Sequence, residues 1–151
     1  MSDLYVHQDR LRSEMAAAFQ ACGLYNDASI QARMVIYLQC MLDWNRQHNV
    51  TRVTDAPLMV QRHIIETLYY VKAMALAEGS SCLDLGSGTG VPGLPLAIVS
   101  PHVGVSLLES NGKKAFFLQQ VVRSLGLAHQ VKVVCLHSKQ FRPAKRFDAV
   151  V

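Results

Sequence analysis

The sequence has no C-x-x-C pair, no histidines at zinc-ligand spacing, no low-complexity stretch, and no Ser/His/Asp or paired-carboxylate constellation. Each absence argues against a class of function, from metal and redox sites to hydrolytic triads. Apolar stretches such as Leu94–Val99, itself interrupted by Pro95, fall far short of the roughly 20 residues of a membrane-spanning helix. The N-terminus carries Asp3, Asp9, Arg10 and Arg12, unlike a signal peptide, so a cytoplasmic protein is expected. Cys22, Cys40, Cys82 and Cys135 stand singly. They read as buried free thiols, two of them in core strands. Acid is also scarce late in the chain: from Ser110 onward, Lys113, Lys114, Arg123, Lys132, Lys139, Arg142, Lys145 and Arg146 face only Asp148. Such a one-sided half suits a polyanion such as nucleic acid, though charge alone fits a solvated face equally well.

What is present is one domain's worth of chain. At 151 residues, half of them hydrophobic, it can bury roughly two-thirds of its unfolded surface around one core. Apolar spacing predicts a helix over Leu11–Cys22, with Leu11, Met15, Ala18, Phe19 and Cys22 inward and Gly23 as its stop. A second helix is predicted from Asp27 or Ser29 to His48, on a stripe of Ile30, Met34, Tyr37, Leu38, Met41, Leu42 and Trp44. Asn49, Thr51, Thr54 and Pro57 mark a loop, with Asn45, Asn49 and Thr51 read as satisfying the turn. A third helix is predicted over Leu58–Glu78, burying Ile64, Ile65, Leu68, Val71, Met74 and Ala75.

After Gly79 the periodicity changes. Cys82–Leu85, Val103–Leu108, Val131–Leu136 and Phe147–Val151 are short apolar runs suited to strands buried on both faces. Between them lie predicted helices at Pro92–Ser100 and Asn111–Leu125, the latter closed by Gly126. Trp44 and the Phe116–Phe117 pair read as core. The expected fold is α/β, a parallel sheet with N-terminal helices. Residues 1–78 form the helical region packed on that sheet and 79–151 the sheet half, together one structural domain. The chain stops on F-D-A-V-V, so the sheet is expected to be incomplete at its C-terminus, with an exposed edge.

Residues 82–93 read C-L-D-L-G-S-G-T-G-V-P-G. Gly86, Gly88, Gly90 and Gly93 remove four side chains where a strand hands over to a helix, which lets backbone amides approach a ligand. Gly88, Gly90 and Gly93 also satisfy the dinucleotide spacing G-x-G-x-x-G, and Glu109 follows 16 residues later. Asp84 tilts the choice, because a carboxylate facing the ligand repels a pyrophosphate and attracts an ammonium and a sulfonium. That points to S-adenosylmethionine, with Glu109 accepting hydrogen bonds from ribose hydroxyls. Two other readings stay open. One is a nicotinamide-dependent oxidoreductase, against which Asp84, the Pro92/Pro95 pair and the basic second half argue; the other is a non-catalytic RNA-binding or assembly fragment.

L-D-L-G-S-G-T-G-V-P-G-L-P-L-A-I and L-L-E-S-N-G-K-K-A-F-F-L, with W-N-R-Q-H-N-V-T at 44–51 and R-H-I-I-E-T-L at 62–68, carry a resemblance to a known family. The chain resembles, over most of its length, the bacterial methyltransferases once called glucose-inhibited division protein B. These methylate guanine N7 of 16S ribosomal RNA. The resemblance implies a Rossmann-like class I methyltransferase fold and S-adenosylmethionine as cofactor. It implies ribosomal RNA or the small-subunit particle as partner, and a monomeric intact protein. It also implies that Gly86 to Val91, with Ser87, Gly88 and Gly90 between them, hold the methionine part of the cofactor, Glu109 the ribose, and Ser138 with Lys139 the region near the adenine; Asp84 joins these cofactor-binding candidates on its charge. Arg62, His63, Lys113 and Lys114 become candidates for the RNA side. In place of the family's R-x-E-E after the third strand, this chain has H-S-K-Q at 137–140, which changes the local charge. Guanine N7 offers an in-plane lone pair and no proton, so no catalytic base is expected, only positioning.

Overall fold

The structure, a computed structural model, describes residues 13, 15–21, 27–48 and 60–151, with backbone alone at 47, 48 and 60–62. Leu11, Cys22, Gly23, the 49–57 loop and the start of the third predicted helix lie outside the described residues. Residues 15–21 are helical (α1), with Met15, Ala18 and Phe19 buried. Helix α2 spans Ala28–His48. Asp27 caps it, its carboxylate accepting the Ser29 amide at 2.7 Å and the Ile30 amide at 3.3 Å, and those bonds hold the Asp27 carboxyl below its usual range. Met34, Tyr37, Leu38 and Met41 are fully buried, the i, i+3, i+4, i+7 pattern of one helical face.

The third helix differs from the sequence expectation. A π-helical segment, Val60–Ile65, leads into α3, Glu66–Met74. Ala75 then turns left-handed at φ 43° and its amide closes onto the Val71 carbonyl at 3.3 Å. The expected continuation to Glu78 fails at Ala75, whose left-handed backbone breaks the helical path; just beyond it the Leu76 carbonyl lies 3.2 Å from the His102 ring. No described helix is long and apolar enough to cross a membrane.

The sheet follows as β1 Ser81–Leu85, α4 Gly93–Val99, β2 Gly104–Leu108, α5 Gly112–Ser124, β3 Val131–Val134 and β4 Ala149–Val150. All pairings are parallel, in the order β3-β2-β1-β4. Right-handed crossovers from β1 to β2 to β3 put α4 and α5 on the same face. There α4 packs on β1 and β2, α5 packs on β3, and α2 lies across both helices as an outer layer. Cys82, Val105, Leu107 and Val131 line the covered face within one core shared with α1, α2 and α3. On the opposite face Leu85 is 50% and Val150 60% exposed.

Three expectations are corrected here. Strand β3 stops at Val134, not Leu136, because β2 has run out of residues to pair; Glu109 makes the last ladder bond to the Val134 carbonyl at 3.0 Å. Cys135 is consequently exposed rather than a buried strand thiol, while Cys40 is half-buried. Cys82 is buried as expected, and burial with the nearby Asp84 pushes its thiol up to about 11. Phe117 is core but Phe116 is exposed, since one residue step on a helix turns the side chain by about 100°. Phe116 still meets the Trp44 ring, at 5.9 Å between centroids.

Candidate cofactor-binding site

The carboxyl ends of β1, β2 and β3 lie side by side, with Leu85 in register with Leu108 and Leu108 with Val134. Strand order reverses between β1 and β4, where open α/β sheets form their ligand crevice. The glycine loop leaves β1 at this point. Its first turn is pulled toward β2: the Gly86 and Ser87 amides both donate to the Leu108 carbonyl, at 2.8 and 3.1 Å. Gly88 donates to Glu109 Oε2 at 2.8 Å, and the other Glu109 oxygen accepts the Asn111 amide at 2.7 Å. Asn111 in turn caps α5, accepting the Lys113 and Lys114 amides. Further on, Gly90 donates to the Ser87 carbonyl at 2.6 Å, and Leu94 to the Gly90 carbonyl at 2.7 Å, which starts α4.

The four glycines divide into two kinds. A Cβ on Gly90, whose φ is +94°, would press into the Leu94 side chain, 2.8 Å from its Cγ. One on Gly93 would meet Leu107 and lie 2.6 Å from Asp84 Oδ2. Both face protein. At Gly86 nothing lies within 4 Å of such a carbon, and at Gly88 only the Gly86 carbonyl at 3.8 Å. Those two leave open space on the crevice side, room that a ligand can occupy.

Asp84 is placed differently from its sequence expectation. It is 2% exposed, and its Oδ2 accepts the Gly93 amide at 3.0 Å. The carboxylate therefore lies beneath the loop and braces the start of α4, rather than facing the crevice. Burial pushes its carboxyl up to about 6, with Glu109 adding like charge and the Gly93 amide and Ser87 hydroxyl opposing the shift. Ser87 is buried too, its hydroxyl donating to the Asp84 carbonyl at 3.0 Å.

Asp84, Gly86, Ser87, Gly88, Gly90, Val91 and Glu109 thus converge through the sheet's register. Ser138 and Lys139 sit exposed in the turn after β3, where the Lys139 amide donates to His137 Nδ1 at 3.2 Å and its carbonyl accepts Arg142 at 2.8 Å. Lys113 is exposed and Lys114 half-buried in the first turn of α5. Arg62 lies in the π-helical segment, and its side chain is outside the described residues. His63 is half-buried with Nε2 shielded from solvent, and its carbonyl accepts the Thr67 hydroxyl at 2.9 Å. Tyr37 reaches the loop unannounced: its hydroxyl donates to the Thr89 carbonyl at 2.9 Å. In the sequence it is one apolar position of a helical stripe, and nothing there separates it from Leu38.

The family model for rRNA small subunit methyltransferase G matches residues 30–151. The chain belongs to that family. The ribosomal RNA small subunit methyltransferase G of Pseudomonas aeruginosa strain LESB58 is 42% identical over 139 residues, 91% of this chain and 63% of that protein. Its counterpart from Laribacter hongkongensis is 36% identical over 140 residues, 93% of this chain and 66% of that protein. The chain therefore spans somewhat less than two thirds of these relatives. Among solved structures, a protein-L-isoaspartate O-methyltransferase superposes with a TM-score of 0.61 at 15% identity, over 92% of this chain and 46% of that one. A coclaurine N-methyltransferase, solved with N-methylheliamine and SAH, gives 0.54 at 16% identity, over 95% and 49%. Their common ground with this member of the methyltransferase G family is the Rossmann-like fold.

Proposed function

We propose that this protein binds S-adenosylmethionine over its glycine loop and methylates guanine N7 of 16S ribosomal RNA, free or in the small-subunit particle, in the cytoplasm. The observation that carries the proposal is the open space at Gly86 and Gly88, with Glu109 at the end of β2 holding the Gly88 amide. Backbone from Gly86 to Val91 takes the methionine part, Glu109 the ribose hydroxyls, and Ser138 with Lys139 the adenine side. Buried negative charge at Asp84 favours a cationic ligand over a pyrophosphate. When bound, S-adenosylmethionine supplies an electrophilic methyl on a sulfonium. The chain's own task is to hold the reacting groups in line and exclude water, which can supply roughly 7–11 kcal/mol of a barrier in the best cases. Arg62, His63, Lys113 and Lys114 are assigned to the RNA side.

Calorimetric titration with S-adenosylmethionine, together with transfer of a labelled methyl group to small-subunit RNA, tests the reading. Gly88→Val, which fills the open space, and Asp84→Ala are expected to abolish cofactor binding. Unchanged affinity in both variants overturns the assignment. A reduced nicotinamide dinucleotide that quenches Trp44 fluorescence favours the oxidoreductase reading instead.

A further inference from the structure

Tyr37 is fully buried in α2, between Met34 and Leu38, which are equally buried. Burying a phenol is costly unless its hydroxyl finds a partner, and packing alone would be served by phenylalanine. The hydroxyl crosses 52 positions of sequence to the Thr89 carbonyl, at 2.9 Å. Thr89 lies between Gly88 and Gly90, whose φ angles are +57° and +94°, so the backbone on either side of it has little intrinsic stiffness. The other end of the same peptide unit is the Gly90 amide, which donates to the Ser87 carbonyl at 2.6 Å. Both poles of one peptide plane are therefore held, one by the loop itself and one by a helix outside the sheet. Glu109 holds the preceding amide at Gly88, and Asp84 the one at Gly93.

We propose that Tyr37 is a positioning residue for the cofactor loop: its hydroxyl fixes the Thr89–Gly90 peptide plane, so that helix α2 as well as the sheet sets the loop's shape. This rests on the proposal that the loop binds S-adenosylmethionine. The phenol touches no substrate. It acts through Thr89, and it makes cofactor affinity depend on the hydroxyl's bond to that carbonyl rather than on the packing of α2 in general.

The test uses Tyr37→Phe, which keeps the ring and removes only the hydroxyl, beside Leu38→Val as a packing control on the same helix. Amide hydrogen exchange of the ligand-free chain reads the loop directly. Tyr37→Phe is expected to speed exchange at residues 86–91 on the order of 5–10-fold, the equilibrium worth of one net hydrogen bond, and Leu38→Val to leave it unchanged. Titration with S-adenosylhomocysteine is expected to show a similar loss of affinity in Tyr37→Phe. Loop exchange unaltered by Tyr37→Phe, equal acceleration by Leu38→Val, or unaltered affinity overturns the positioning role. A wild-type chain that takes up no S-adenosylhomocysteine overturns the functional reading instead, while the exchange result still decides whether Tyr37 holds the loop.

Discussion

Glu109 accepts the Gly88 amide at 2.8 Å, and this bond ties the middle of the glycine loop to the end of the neighbouring strand. With its other oxygen on the Asn111 amide at 2.7 Å, the carboxylate couples the loop to the start of α5. A hydrogen bond to a charged group contributes about 1.5–3 kcal/mol, so Glu109→Ala removes a loop anchor and the proposed ribose acceptor together. The expected result is a loss of S-adenosylhomocysteine affinity on the order of 10–100-fold, read by calorimetry. Glu109→Gln, which keeps one acceptor oxygen, should lie between.

Asp84 makes stability depend on pH in a definite direction. Its carboxyl is raised from 3.8 to about 6 by burial, so the folded protein holds a proton that the unfolded chain has released. The associated stability is fully present below pH 3.8 and lost as pH rises through about 6. Urea unfolding at pH 4 and pH 7 should show wild type losing on the order of 2 kcal/mol relative to Asp84→Asn across that interval. The same variant should weaken S-adenosylmethionine more than S-adenosylhomocysteine, which lacks the sulfonium charge.

The two kinds of loop glycine should separate under substitution by alanine. Gly90→Ala and Gly93→Ala drive a methyl into Leu94 and into Leu107 and Asp84 respectively, and should cost about 2–4 kcal/mol of folding stability. Gly88→Ala meets open space and should cost only about 1 kcal/mol, from its left-handed backbone. Its larger effect should fall on ligand affinity. Equal destabilisation at Gly88 and Gly93 would contradict the division.

Lys113 and Lys114 lie in the first turn of α5, next to the Asn111 cap that Glu109 supports. If both meet phosphate, the double change to alanine should flatten the salt dependence of RNA binding by about 0.7–0.9 per lost contact on a log–log plot. Cofactor affinity should stay as in wild type. An unaltered slope would move the RNA face elsewhere, with the exposed turn at Ser138–Lys139 the next place to look.

The alternation of strand and helix after Gly79 was legible because strands buried on both faces read as short continuous apolar runs, while helices repeat their apolar residues at a period of 3.6. The helical faces of α2 and α5 were legible for the same reason, while residue type narrowed the cap of α2 to Asp27 or Ser29 and the structure chose Asp27. What periodicity could not convey were the ends of elements. Helix α3 stops at Met74 because Ala75 turns left-handed, a conformation its side chain does not announce, and β3 stops at Val134 because of the length of β2, a partner remote in sequence. The exposure of Phe116 beside the buried Phe117 depends on which arc of α5 the sheet and α2 cover.

By itself the sequence determined that a strand would break into a glycine loop with acids at its edges, since glycine spacing and a preceding apolar run are local properties of the chain. Tertiary structure alone decided what those residues do. Only the parallel register brings Glu109 to Gly88, only the close packing of α4 on β1 turns Asp84 inward to Gly93, and only the docking of α2 carries the Tyr37 hydroxyl to Thr89. Hydrogen bonds between residues 9 to 52 positions apart have no signature in either strand or helix period, because the distance they close is set by packing.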